Sequence, residues 1–234
     1  MVSSGSIAFI PARAGSKRLP GKNTMPFLGK PMIGWTIEAA LKSECFSRVV
    51  VSTDGEDVAE VAMAYGAEVP FLRTRFADDH STVSDVVAAE LPRYEVHLGE
   101  SYESVAMLMA NCPLRDAAHI RSHVDAFRRA DRRFQLSAVG YAWAKPWWAH
   151  RVEAGGRAAP LFPLELSARS QDLPRLLCPT GAIWLARCAD FSEAGTFYGP
   201  DYAFEEIDAA GGTDIDDAED LRLAQALVQT RAGS

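Results

Sequence analysis

Arg13, Lys17, Arg18 and Lys22 place four cations within ten residues, interleaved with Gly15 and Gly21 in the stretch ARAGSKRLPGKN, residues 12–23. A polyphosphate calls for several charged donors converging on it and for backbone that can approach closely, and this stretch supplies both. It is not a P-loop. Five residues rather than four separate Gly15 from Gly21, and Lys22 is followed by Asn23 where that mechanism needs a magnesium-binding hydroxyl. The plain alternative is a solvated basic loop.

A second, acidic constellation lies in TDIDDAEDL, residues 213–221. On an extended segment alternate side chains point the same way, so Asp214 and Asp216 can offer two hard oxygen ligands to one magnesium ion. Asp217, with Asp220 three residues later, reads as the start of the last helix. All four carboxylates could instead only cap and solvate that helix. A basic polyphosphate loop elsewhere in the chain favours the metal reading, because magnesium would link the two. His119 and His123 are four apart on an expected helix but have no evident third ligand, so they read as a solvated helix face.

These groups need elements to hold them. IAFIP and RVVVSTDG read as buried strands, with MIGWTIEAALKS as a helix between them. EDVAEVAMAYG repeats the helical spacing and closes at Gly66. AEVPF, SVAMLMA, QLSAVGY, GAIWLA and YAFEEID read as strands; VSDVVAAELPRY, AAHIRSHVDAFRRA and DAEDLRLAQALVQ read as helices. The alternation predicts an α/β domain of three layers, a mostly parallel sheet with helices on both faces, and ligands beyond the carboxyl ends of the strands. Residues 1–140 and 178–234 form this domain. Residues 141–177 break the rhythm with three tryptophans, repeated prolines and two adjacent glycines. They read as an inserted arm that dimerises the chain: Trp143, Trp147 and Trp148 suit an interface better than a core, and a two-fold mate would cover them.

With 234 residues and 48% apolar composition the chain can bury a sizeable core. A net charge of −7 argues against nucleic acid or an anionic membrane as partner, since either calls for a broad basic face. Cys45, Cys112, Cys178 and Cys188 are far apart and form no C-x-x-C pair, so neither a zinc knuckle nor a disulfide framework is indicated. No apolar run is long enough to span a bilayer, and MVSSGSIAFIP lacks the marks of a secretion signal; a cytoplasmic location is expected.

IAFIPARAGSKRLPGKN resembles the opening motif of the CMP-acylneuraminate synthetases, the cytidylyltransferases that activate sialic, legionaminic and pseudaminic acids. KPMIGWTIEAAL, VVVSTDGEDVAEVAMAYGAEVPF, CPLRDAAHI, PTGAIWLA and DIDDAEDLRLA follow in family order. The related synthetases for the eight-carbon acid Kdo carry Thr and Pro in place of Lys17 and Asn23. The resemblance implies that CTP and an acidic nine-carbon keto-sugar give a CMP-sugar and pyrophosphate. It implies a triphosphate site at Ala12, Arg13, Ser16, Lys17 and Lys22, with Asn23 near the ribose, and Mg2+ held by Asp214 and Asp216. Arg13, Lys17 and Lys22 become the catalytic candidates, with Lys17 or Lys22 offsetting charge on the departing pyrophosphate.

Arg73 resembles an arginine that contacts cytosine in the family, although its spacing leaves Arg75 open as the equivalent. Ser81, Thr82 and Ser84 lie where the family places a ribose-contacting hydroxyl, and Thr82 is the candidate among them. The acceptor region departs from the pattern. Where sialic-acid enzymes read Leu-Gln-Pro-Thr-Ser-Pro-Leu-Arg, this chain has LMANCPLR, with Met109 at a sugar-contacting glutamine and Cys112 at a serine. Cys178 also stands where an arginine is frequent. These losses imply an acceptor other than N-acetylneuraminic acid. RSQDLP, residues 169–174, resembles a segment of the pseudaminic branch, so Arg169 is the leading partner for the acceptor carboxylate and Lys145 the second. Rival readings are a cytidylyltransferase for a phosphonate or another small acid, and a silent nucleotide-binding homologue.

Overall fold

The computed structural model describes residues 2–3, 5–76, 81–142 and 144–232, so His80 and Trp143 lie outside the described residues. The eight strands that matter to the site and the arm are β1 (Ser6–Pro11), β2 (Arg48–Ser52), β3 (Ser104–Met107), β4 (Phe134–Gly140), β5 (His150–Val152), β6 (Ala158–Pro160), β7 (Leu177–Arg187) and β8 (Ala203–Glu206). Six of them form one sheet in the order β8-β4-β7-β3-β1-β2. β1 runs parallel to β2 and β3, and β8 parallel to β4. Only β7 is antiparallel to its neighbours, β3 and β4. The expected mostly parallel sheet is therefore present, with one reversed strand inside it that alternation alone does not announce.

Helices α1 (Met32–Ser43), α2 (Glu56–Ala64), α3 (Val83–Leu98), α4 (Ala117–Arg129), α5 (Cys188–Ala194) and α6 (Ala218–Ala232) complete the layers. β1 explains why both faces are covered. Its Ala8 and Ile10 pack with Ile33 and Ile37 of α1 and Ile120 and Val124 of α4. Its Ile7 and Phe9 turn to the other face, against Val87, Leu91 and Tyr94 of α3. A strand buried on both sides has no polar alternation to show, hence the unbroken apolar run. Among the described residues no helix is long and apolar enough to cross a membrane.

Two expectations need correction. AEVPF is not a strand: Glu68 alone joins the ladder, its N–H donating to Val49 O at 2.9 Å and its O accepting from Val51 N at 3.0 Å. Pro70, two residues on, has no N–H with which to continue. The arm, in contrast, holds more regular structure than its pattern suggests. β5 and β6 pair as an antiparallel hairpin, but strands of three residues are too short to show a period. Trp147 stays within the arm, edge-to-face with Phe162 at 5.2 Å and donating Nε1 to Pro174 O at 3.0 Å. Trp148 is exposed, as are Val152 at 76% and Leu164 at 87%. An ion pair between Arg175 and Glu206 of β8 ties the end of the arm to the sheet.

Candidate active site

The basic loop leaves the carboxyl end of β1, and the end of β2 holds its first residues. Ala12 N donates to Ser52 O at 2.9 Å, extending the ladder by one residue. Ala14 N then donates to Asp54 Oδ1 at 2.9 Å. Gly55 permits this approach, because a Cβ there would stand 2.5 Å from the Cβ of Ala14. At the far end of the loop Gly21 takes φ +65°, a turn only glycine makes cheaply, and its carbonyl accepts from Met25 N at 2.9 Å. Asn23 Nδ2 donates to Arg13 O at 2.8 Å, and Ser16 Oγ accepts from Leu19 N at 3.3 Å. The loop is thus a braced turn, with its charged side chains directed outward.

Those side chains enclose a cleft of about 480 Å³ lined by Arg13, Ser16, Lys17, Arg18, Lys22 and Asn23 on one side and by Met109, Ala110, Asn111 and Asp216 on the other. Its size suits a nucleotide-sized ligand. Asp216 closes it: Lys22 Nζ lies 2.8 Å from Oδ1 and Arg18 Nη2 lies 2.6 Å from Oδ2. Burial alone would raise the Asp216 carboxyl, but hydrogen bonds and charge from Lys22 and Arg18 hold it below the ordinary carboxylate range. Asp214, two residues upstream, is not among the residues lining the cleft, and its shift is opposite: desolvation raises it first, and the charge of Asp216 adds to this.

The four acidic residues separate by role. Asp217 Oδ1 accepts from Asp220 N at 3.1 Å while Asp220 Oδ2 accepts from Asp217 N at 3.1 Å, a reciprocal cap at the start of α6. Asp220 Oδ2 also accepts from Asp216 N at 2.9 Å. The cap therefore holds the backbone of Asp216 while its carboxylate turns into the cleft. Neither Asp214 nor Asp216 uses its side chain in the cap.

The remaining candidates lie apart. Ala12 is buried beneath the loop. Arg73 is buried beside the end of β2, its Nη1 donating to Ser52 O at 3.3 Å, its Nη2 3.9 Å from Asp54 and its Nε without a partner. Burial lowers its pKa against the pull of Asp54. Arg75 packs over the ring of Phe76 at 5.2 Å. Thr82 is the N-cap of α3, its Oγ1 accepting from Asp85 N at 3.2 Å. Lys145 Nζ donates to Tyr141 O at 2.9 Å and lines a separate hollow of about 320 Å³ with Trp147 and Arg175. Arg169 is exposed and paired with Asp172 at 2.9 Å. Cys112 is wholly buried, and burial pushes its thiol up to about 12, so it is an inert filler. His119 bridges Asp116 and Asp208, and His123, expected on a solvated helix face, is instead buried, its Nδ1 3.0 Å from the His119 carbonyl.

Two participants had no signal in the sequence pattern. Asp54 was legible only as part of an Asp-Gly turn, yet it anchors the loop. Asn111, inside LMANCPLR, donates Nδ2 to both Asp216 Oδ1 and Ile215 O at 3.1 Å, and its carbonyl accepts from Ile215 N at 2.9 Å. The partners lie 105 and 104 positions away, beyond any local spacing rule.

Residues 7–137 match the family model described as Cytidylyltransferase. The chain is 35% identical over 228 residues to the CMP-N,N'-diacetyllegionaminic acid synthase of Legionella pneumophila subsp. pneumophila, covering 95% of this chain and 96% of that protein. It is 30% identical over 223 residues to the pseudaminic acid cytidylyltransferase of Campylobacter jejuni subsp. jejuni, covering 95% of each. A solved structure of CMP:2-keto-3-deoxy-manno-octonic acid synthetase complexed with CTP has the same fold, with a TM-score of 0.69 at 21% identity over 97% of this chain and 100% of that one.

Proposed function

Because this chain belongs to the cytidylyltransferase family, we propose that it joins CMP from CTP to the anomeric hydroxyl of an acidic nine-carbon keto-sugar of the sialic, legionaminic or pseudaminic type, releasing pyrophosphate. One observation carries the reading: the cationic side chains of a braced loop and the carboxylate of Asp216 converge on a single cleft at the carboxyl edge of the sheet. The names of the relatives support the acceptor class, and Met109 in the cleft wall supports an acceptor other than N-acetylneuraminic acid.

In this reading the anomeric hydroxyl releases its proton to water as its oxygen forms the new bond to the α-phosphorus, the α–β bridging P–O bond breaks, and pyrophosphate leaves with the electron pair. Arg13 and Ser16 orient the triphosphate, while Lys17 and Lys22 offset charge that grows on the leaving group. Asn23, through its bond to Arg13 O, keeps the loop in the shape that binds. Asp214 and Asp216 would hold magnesium: both are hard oxygen donors, the helix cap uses the carboxylates of Asp217 and Asp220 and leaves theirs out, and this ion takes one or two carboxylates besides substrate phosphates. When bound, the ion would neutralise phosphate charge and polarise the α-phosphate.

The exposed apolar residues of the arm support a homodimer in which each arm is covered by its mate. Pyrophosphate release from CTP and magnesium, measured against a panel of nine-carbon keto-sugar acids and small phosphonates, tests the reaction and its acceptor together. Release with the keto-sugar acids alone supports the proposal. Release with a phosphonate alone rejects the acceptor, and no release with any of them rejects the reaction.

A further inference from the structure

We infer that Asn111 is the positioning residue for Asp216, the fixed partner that keeps this carboxylate aimed into the cleft when its two cations are drawn away. The inference rests on the reading of Asp216 as a magnesium ligand. In the structure Asp216 has three side-chain partners of two kinds. Lys22 and Arg18 are long, charged and set at the cleft wall, where a triphosphate would compete for them. Asn111 is neutral, short and only 2% exposed, so it neither competes for the metal's charge nor swings toward phosphate.

Its grip is also the more rigid one. Both hydrogens of its amide are committed, one to Asp216 Oδ1 and one to Ile215 O, each at 3.1 Å. Its backbone carbonyl accepts from Ile215 N at 2.9 Å, so the segment is held by main chain and side chain together. Ile215 is itself wholly buried, packed with Phe27, Met32 and Ala224. The carboxylate is thus tied to the core by a partner that substrate would leave in place, while the cations act as a transferable closure.

The consequence is specific. Loss of the Asn111 amide should weaken the gain that magnesium adds more than it weakens metal-free CTP binding, since Lys22 and Arg18 are untouched. Calorimetric titration of CTP into the protein, in EDTA and in excess magnesium, gives that gain as a ratio of affinities. Asn111→Ala should lower the ratio about tenfold, the scale of one hydrogen bond to a charged group, with any fall in the EDTA affinity smaller than the fall in magnesium. Should that variant fail to fold, Asn111→Thr fills the space, yet one hydroxyl cannot make both bonds, and the same loss is expected. Asp216→Asn separates the two ideas. If it leaves the ratio unchanged, the metal reading itself fails. If it collapses the ratio while the Asn111 variants keep the native one, or if they weaken EDTA and magnesium binding alike, the inference about Asn111 is overturned.

Discussion

Lys22 Nζ and Asp216 Oδ1 meet at 2.8 Å across the cleft, joining the loop after β1 to the segment that starts α6, 194 residues away in sequence. The contact sets a cation of the loop against the carboxylate on the opposite wall of one cleft. Lys22 and Arg18 hold Asp216 low against its burial, while desolvation first, and then the charge of Asp216, raise Asp214 two residues away.

Stability and activity should therefore part company at Asp214. Its carboxyl is raised in the folded chain, so the folded state holds its proton more tightly, and a penalty grows as pH rises from the unfolded value near ~3.9 through the folded one. Asp214→Asn removes that penalty and should melt roughly 2 °C higher at neutral pH without ligand, while turnover falls by about 100-fold or more. Asp216 has the opposite sign. Its lowered value adds stability above the unfolded pKa that is lost as pH falls through the folded one, so Asp216→Asn should flatten the acid limb of a melting series. Melting and turnover measured on both variants check the assignment.

The loop cations should act on substrate, with little effect on the fold. Arg13 and Lys17 both line the cleft. Arg13→Ala and Lys17→Ala should each lower kcat/KM for CTP by about 10-fold to 1000-fold with melting within roughly 2 °C of native. Unchanged kinetics in both would remove the loop from the triphosphate site.

How much of this was legible in the sequence follows from the range of each interaction. Ile7, Phe9 and their neighbours announce a buried strand because burial on both faces leaves a local apolar run, and Asp217 with Asp220 announces a helix start because a cap closes within four residues. The loop's charges could be read for the same reason. Asn111, Asp54 and the reversed strand β7 could not, since each is defined by partners far along the chain. Glu68 shows the converse: its local pattern suits a strand, but Pro70 ends the ladder at one residue.

Met109 sets a third expectation. A Cβ on Gly181 would stand 2.6 Å from Met109 Cγ, so the absence of a side chain at Gly181 is what seats this thioether in the cleft wall. Gly181→Ala should push Met109 off its seat at a cost of about 1–3 kcal/mol. Met109→Gln should instead preserve stability and move acceptor preference toward sugars with a hydroxyl at that point. Competition between acceptors at fixed CTP measures the shift.

The arm separates an internal tryptophan from an exposed one. Trp147, bonded to Pro174 and edge-to-face with Phe162, should loosen the arm itself when changed to Ser. Trp148→Ser, at an exposed position, should leave the fold intact and weaken self-association by about tenfold or more, the effect of losing a buried aromatic at an interface. Sedimentation of native protein and both variants decides this. A native chain that is monomeric at micromolar concentration and fully active would leave Trp148, like Trp147, with a role within one copy.

The most direct test of the central claim is a single assay of pyrophosphate release, with each of the four common ribonucleoside triphosphates offered in turn with magnesium and a legionaminic, pseudaminic or sialic acid. The account predicts release with CTP, dependent on one of these acids and abolished by Asp216→Asn, with a product that contains CMP joined at the anomeric oxygen. Release with another nucleotide in preference to CTP, or at the same rate without any acceptor, would contradict it.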